Sequence, residues 1–200
     1  MAIMRLRHDF PDPMRRNLVL SAAFAIALSC ASAAFAQQTV PAAGDSAVQQ
    51  DPKAEQASHK MSEYLTQKFG VAREKAQTIA SAVMTSASKY SLPPALLLAI
   101  ISIESRFKET ARGPNHATGL MQVVPSAHKS LVRNIDLTDP EDNIEAGSAI
   151  LHGYMTSAQG DVDAALKSYG GSRAYAEKVS LRARTFEPAA AAEPASAAGK

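Results

Sequence analysis

Between residues 59 and 186 of this 200-residue chain, apolar positions recur every three or four residues, the spacing of a buried stripe on a helix. Met61, Tyr64, Leu65 and Phe69 form a first stripe, and Gly70 supplies its stop. Ala72 to Tyr90 carries a second, made of Ala76, Ile79, Ala80 and Val83. Pro93 and Pro94 suit a first helical turn, where a missing N–H loses no bond. The run that follows, to about Ser105, is apolar on every side, which predicts a helix inside a core. The periodicity lapses from Lys108 to Gly119, where Gly113-Pro114-Asn115 is turn chemistry. Pro125 to about Arg133 predicts a short helix. Asp139-Pro140 then opens a longer one carrying Ile144, Ile150 and Leu151, with Asp139 as its N-cap. Asp161 to Tyr169 and Arg173 to Arg184 complete the set. Strand-like alternation is nearly absent, so the predicted class is all-α.

The flanks differ in kind. Residues 1–36 read as an export signal: Arg15-Arg16 precede the apolar segment Leu18 to Leu28, and Ala34-Phe35-Ala36 is a small-x-small cleavage pattern. Cleavage is expected after Ala36, from a start at Met1 or Met14, and delivers an exported, periplasmic product. An uncleaved anchor is the rival reading, but the apolar core is shorter than the ~20 residues of a span. The single cysteine, Cys30, lies within this segment. Lipid attachment there is disfavoured, because Ala27-Leu28-Ser29-Cys30 lacks the leucine normally wanted three residues earlier. Removal of the signal leaves a chain without thiol or disulfide. Residues 37–58 are small and polar, a flexible leader, and residues 187–200 are an Ala/Pro-rich tail expected to be disordered. The expected domain is therefore 59–186.

At 46% hydrophobic and 20% charged residues the composition is globular. The net charge of +2 arises in the first 36 residues, and the balanced remainder offers no electrostatic footprint for nucleic acid. His59, His116, His128 and His152 lack ligand spacing, so neither a metal nor another cofactor is expected. No Gly-rich phosphate loop or serine-elbow motif occurs.

One residue stands out chemically. On a helix, Glu104 shares its face with Ile100, Ile101 and Leu97, all aliphatic. It also lies at the helix carboxyl end, where the macrodipole disfavours negative charge. Desolvation acts in the same direction and predicts a raised pKa. A carboxyl still protonated near neutrality can hand its proton to a leaving oxygen. The bland alternative is a helix-end Glu paired with Arg106 or another surface cation.

The sequence that follows decides between them. "IESRF", "ATGLMQVVPSA", "DPEDNIEAGSAIL", "ALKSYGGS" and "YAEKV", in that order from Glu104 onward, resemble the SLT-type lytic transglycosylases (family 1) of the lysozyme-like superfamily, which cut bacterial peptidoglycan. The resemblance covers roughly Leu92 to Val179 and implies a goose-type, lysozyme-like helical domain. It implies Glu104 as the single catalytic acid and base, followed by Ser105 at the site. It also implies that Met121 and Gln122 of Gly119-Leu120-Met121-Gln122 line the sugar groove and that Tyr169 stands close to the catalytic carboxyl. From the residues alone, Met121 is equally core filler, and Tyr169 has the alternative of a core-edge phenol. Tyr175 reads as packing or cleft rim. Asn143-Ile144 and Ala146-Gly147 read as structural, a buried amide tying loops and small residues permitting close packing. Three positions depart from the family pattern: Gly113 replaces a frequent serine, His116 a frequent glycine, and Gly170 an asparagine.

No convincing second carboxylate accompanies Glu104; Glu109 is nearest in sequence, while Glu141, Asp142 and Glu145 fit a solvated helix face. That absence suits a substrate-assisted route. The resemblance implies proton donation to the oxygen joining N-acetylmuramic acid to N-acetylglucosamine, then closure of a 1,6-anhydro ring. A muramidase-type hydrolase on the same fold is one alternative, and an inactive wall-binding or assembly module another. Expected partners are peptidoglycan glycan strands. Small dedicated members of the family often serve secretion or conjugation machines, so such an apparatus is a second expected partner.

Overall fold

The computed structural model describes residues 52–190, and eight α-helices account for most of that span. They are α1 (Pro52–Phe69), α2 (Arg73–Tyr90), α3 (Pro94–Glu104), α4 (Lys129–Val132), α5 (Pro140–Ser157), α6 (Val162–Gly170), α7 (Arg173–Ala183) and α8 (Glu187–Ala190). Among the described residues there is no strand, only isolated bridges joining Arg112 to Thr118 and Thr118 to Val123. The all-α expectation holds. The export signal, Cys30, the start of the leader and residues 191–200 lie outside the described residues. No described helix is long and apolar enough to cross a membrane.

Helical structure reaches past the expected 59–186 span at both ends. α1 starts at Pro52 and buries Ala57 one turn before its main stripe of Met61 and Leu65. α8 buries Ala189. In the other direction, the helix expected from Pro125 shrinks to Lys129–Val132. Its opening is a pair of overlapping four-residue turns, Ala127 N–H to Val124 C=O and His128 N–H to Pro125 C=O. Only Val132 of α4 is buried, so no apolar stripe exists to hold a longer helix against the body.

Helix α3 is the centre of the packing. Ala95 to Ile101 are all buried, and Leu97, Leu98, Ile100 and Ile101 have no exposed surface. Each such side chain contributes roughly 1.5–3 kcal/mol by leaving water. Around it the helices form a circuit in which α3 packs on α7, α7 on α6, α6 on α5, α5 on α2, and α2 on α3. The chain leaving α3 is anchored by Phe107, whose ring lies 5.2 Å from that of Phe69; Phe69 in turn stacks on Phe186 at 5.0 Å. Arg106 and Phe107 both take left-handed backbone angles there, so the chain turns sharply once Glu104 is passed.

The segment from Ser105 to Val123 is irregular apart from a single 3-10 turn at Pro114–His116, and α5 fastens it. Asn143, almost fully buried, donates to the carbonyls of Thr118 and Leu137, both at 2.9 Å. Its Oδ1 accepts from the Met121 N–H at 2.8 Å. Gly119 has a φ of +80°, and a Cβ there would overlap the Asn143 amide and the Leu137 carbonyl. One turn along α5, a Cβ on Gly147 would stand 2.6 Å from Met121 Sδ and 2.7 Å from its Cβ, so the absent side chain is what lets Met121 seat. The buried amide and close packing read from the "NI-AG" residues are present as expected.

Asn143→Ala leaves the Met121 N–H and the Leu137 carbonyl unpaired in the interior, while the Thr118 carbonyl keeps the Val123 N–H. The expected loss of stability is about 3–5 kcal/mol, read by chemical denaturation. A loss below about 1 kcal/mol would remove the bracing role from this amide.

Candidate active site

Glu104 is the last residue of α3 and is half-buried. Its Oε1 accepts a hydrogen bond from the Tyr175 hydroxyl at 2.6 Å. Burial pushes the carboxyl above the ordinary carboxylate range, while the Tyr175 donor and then the Lys178 ammonium pull it back. Burial is the largest of the three. The group is therefore held between opposing influences, one favouring the acid and two favouring its anion.

Both opposing groups come from α7. Gly171, at φ +78°, ends α6 in the left-handed region, and Ser172 caps α7 by accepting from the Tyr175 N–H at 3.1 Å. This cap fixes the backbone of Tyr175, and Lys178 lies three positions on, along the same face. The Tyr175 phenol is pushed up by burial first and by the negative Glu104 second, so it remains a donor throughout the physiological range. Tyr169 is also pushed up, by burial and then by Glu104, which places it within electrostatic reach of the carboxyl. Its hydroxyl, however, donates to the Met121 carbonyl at 2.9 Å. Tyr169 braces the loop beside the carboxyl, and Tyr175 is the direct partner.

Two residues expected to meet substrate are turned inward. Ser105 is buried and its hydroxyl donates to the Ile101 carbonyl at 3.0 Å, closing the last turn of α3. Met121 has no exposed surface because the gap beside Gly147 takes its side chain. Its backbone is held on both sides, N–H by Asn143 and C=O by Tyr169. Gln122 is half-buried with a left-handed φ of 49°. Its amide nitrogen donates to the carbonyls of Gly119 at 2.9 Å and Ala111 at 3.2 Å. Its Oε1 occupies the space where a Cβ on Gly113 would be, so the small residue at 113 makes room for this amide.

Three other carboxylates are engaged elsewhere. Glu109 pairs with Lys75 at 2.5 Å and Glu145 with Lys89 at 2.5 Å. Asp142 accepts from the Asp136 N–H at 3.2 Å. No carboxylate contributes to the shift at Glu104, and the cation acting on it is Lys178 rather than Arg106. Among the described residues, no group of three or more His, Cys, Asp or Glu side chains is arranged to hold a metal ion. A hollow of about 630 Å³ between α1 and α2, lined in part by Ser62, Gln77, Met84 and Ala190, includes none of these site residues. The chemistry sits on the loop-covered end of α3.

Tyr175 is the residue that sequence reasoning underrated. Its motif, "YAEKV", was visible, and so was its spacing from Lys178. Which of two tyrosines reaches the carboxyl depends on the turn at Gly170–Ser172, which periodicity does not resolve.

Comparison with known proteins gives the chain a family. The family described as "Transglycosylase SLT domain" matches residues 81–190. The chain is 36% identical over 87 residues to "Transglycosylase" of Enterobacteria phage PRD1, covering 43% of this chain and 32% of that protein. It is 39% identical over 79 residues to "Membrane-bound lytic murein transglycosylase C" of Yersinia pestis (strain Pestoides F), covering 34% of this chain and 22% of that protein. It thus spans less than a third of the length of these curated relatives. No solved structure matches.

The desolvated carboxyl has a consequence for stability. A carboxyl whose pKa is higher in the folded than in the unfolded chain contributes stability below its unfolded pKa. That contribution is lost as pH rises through the folded pKa. Glu104→Gln is therefore expected to melt at a higher temperature than wild type at pH 7, with the gap closing below the ordinary carboxyl pKa of about 4.3. A Gln variant less stable than wild type at pH 7 would show that the Tyr175 and Lys178 contacts outweigh burial.

Proposed function

The chain belongs to the Transglycosylase SLT domain family, and from that premise we propose that it is a lytic transglycosylase, cleaving peptidoglycan glycan strands without water. The observation that carries this reading is the Glu104 carboxyl, raised by burial, hydrogen-bonded to Tyr175, and with no carboxylate among the described residues acting on its titration. A conventional glycosidase uses two carboxyls, roughly 5–5.5 Å apart for retention or 6.5–9.5 Å for inversion. A single carboxyl suits a route in which the substrate supplies the second group.

Glu104 starts protonated and gives its proton to the oxygen linking the anomeric carbon of N-acetylmuramic acid to N-acetylglucosamine. The C1–O bond breaks, and the acetamido oxygen of the muramic acid stabilises the charge at C1. Glu104, now ionised, takes the proton from the 6-hydroxyl of the same sugar as O6 bonds to C1. The products are a free 4-hydroxyl and a 1,6-anhydro end, and the enzyme regains its proton. Each of the two steps favours a different state of the same group. Burial supports the acid of the first, while Tyr175 and Lys178 support the anion required between them. Gln122 and Tyr169 act on this reading by holding the loop that borders the sugar site.

The periplasm is the compartment where this substrate is met, and the signal read in residues 1–36 suits export to it. Local opening of the wall for a secretion or conjugation apparatus is the finer role proposed. Its support is the resemblance carried by the motif series, since members of that family often serve such machines.

Digestion of purified peptidoglycan, with product masses recorded, tests the proposal. Wild type is expected to release fragments with 1,6-anhydro ends, and Glu104→Gln to lose activity by at least about 10²-fold. Reducing ends in place of anhydro ends would make the enzyme a hydrolase. Wall binding with no release by wild type would make it a binding module.

A further inference from the structure

Tyr175 reaches Glu104 across a gap that exists only because residue 170 has no side chain. Gly170 is the last residue of α6, exposed to solvent and five positions before Tyr175. A Cβ there would overlap Cγ, Cδ1 and Cε1 of the Tyr175 ring. Those atoms are the root and one edge of a rigid ring, so the conflict cannot be relieved by moving a flexible tip. The ring has little freedom, since the Ser172 cap holds its backbone and Ala176 and Val179 of α7 are buried beside it. Gly153 in α5 makes the contrast, because a Cβ there would meet nothing within 4 Å. The vacancy at 170 is specific to the tyrosine.

We propose that Gly170 is a positioning residue for the reaction: its missing side chain admits the Tyr175 ring, and the ring orients the Glu104 carboxyl. The proposal rests on the transglycosylase reading only for what Glu104 does to substrate, not for the geometry. Gly170→Ala displaces the ring and breaks the bond from the phenol to Oε1. That donor favours the ionised carboxyl, so its loss moves the titration of Glu104 to higher pH. The freed carboxyl also loses its aim.

The test is a four-protein cycle of wild type, Gly170→Ala, Tyr175→Phe and the double variant. The Glu104 carboxyl is titrated by NMR, and pH profiles of kcat and KM are recorded on solubilised glycan strands. Both single variants are expected to move the Glu104 titration upward and to lower kcat on the order of 10–100-fold with KM little changed. The double variant is expected to titrate like Tyr175→Phe alone, because the bond can be lost only once. Gly153→Ala is expected to leave the titration and the kinetics unchanged. An unmoved titration in Gly170→Ala, or shifts that add in the double variant, overturns the proposal. If Gly170→Ala does not fold, Gly170→Ala/Tyr175→Ala removes the ring and is expected to restore folding. Failure of that pair as well would reduce Gly170 to a helix-end requirement and overturn it equally. Retained activity in Glu104→Gln would instead sink the transglycosylase reading while leaving the carboxyl titration as evidence on Gly170.

Discussion

Desolvation of one carboxyl at the end of α3 is the constraint that orders the rest of the site. A helix with every side from Ala95 to Ile101 buried must surface somewhere, and it does so at Glu104. There the aliphatic face resists a charge and the helix end adds its own negative potential. Left alone, such a group would be a poor acid, because a carboxyl held too strongly neutral does not surrender its proton. Tyr175 and Lys178 moderate the effect from the opposite side. On the proposed route the carboxyl gives one proton and then takes another, which needs this balance more than an extreme pKa.

The loop that borders the carboxyl is built to a different rule. Its backbone is irregular, so its N–H and C=O groups need partners that a helix would otherwise supply. α5 and α6 provide them through buried side chains. Asn143 holds Thr118, Leu137 and Met121, and Tyr169 closes the remaining group of Met121. Gln122 then returns to Gly119 and Ala111 within the loop itself. The most polar residues of the motif series are in this way occupied in holding shape, and few of their donors face outward. Glycines at 113, 119 and 147 make the fit possible by leaving space for an amide oxygen, an amide nitrogen and a thioether.

Much of this was legible in the sequence, because a stripe of apolar residues reports directly on a packed face. The stripes of α1, α2, α5 and α7, the Asp139 cap and the buried run of α3 all follow from that correspondence. The Pro125 segment misled because a proline marks where a helix is able to begin, while only a buried face decides how far it continues. Glu104 was found by asking what surrounds a charge, which spacing on a helix answers. Ser105 and Met121 were assigned outward roles from motif membership alone, yet membership carries no information on which side of a loop faces the core. The choice between Tyr169 and Tyr175 turned on three residues, Gly170 to Ser172, whose joint geometry sets the direction of a whole helix.

The hydrogen bond from Tyr175 to Glu104 joins residues 71 positions apart in the chain. Everything that tempers the acid arrives with α7, separated from α3 along the chain by three α-helices. A chain cut after α6 would keep its proton donor but lack both the phenol and the ammonium that govern it. Docking of α7 on α3 thus sets the state of the carboxyl, and a fold incomplete at that one contact would leave Glu104 present but untempered.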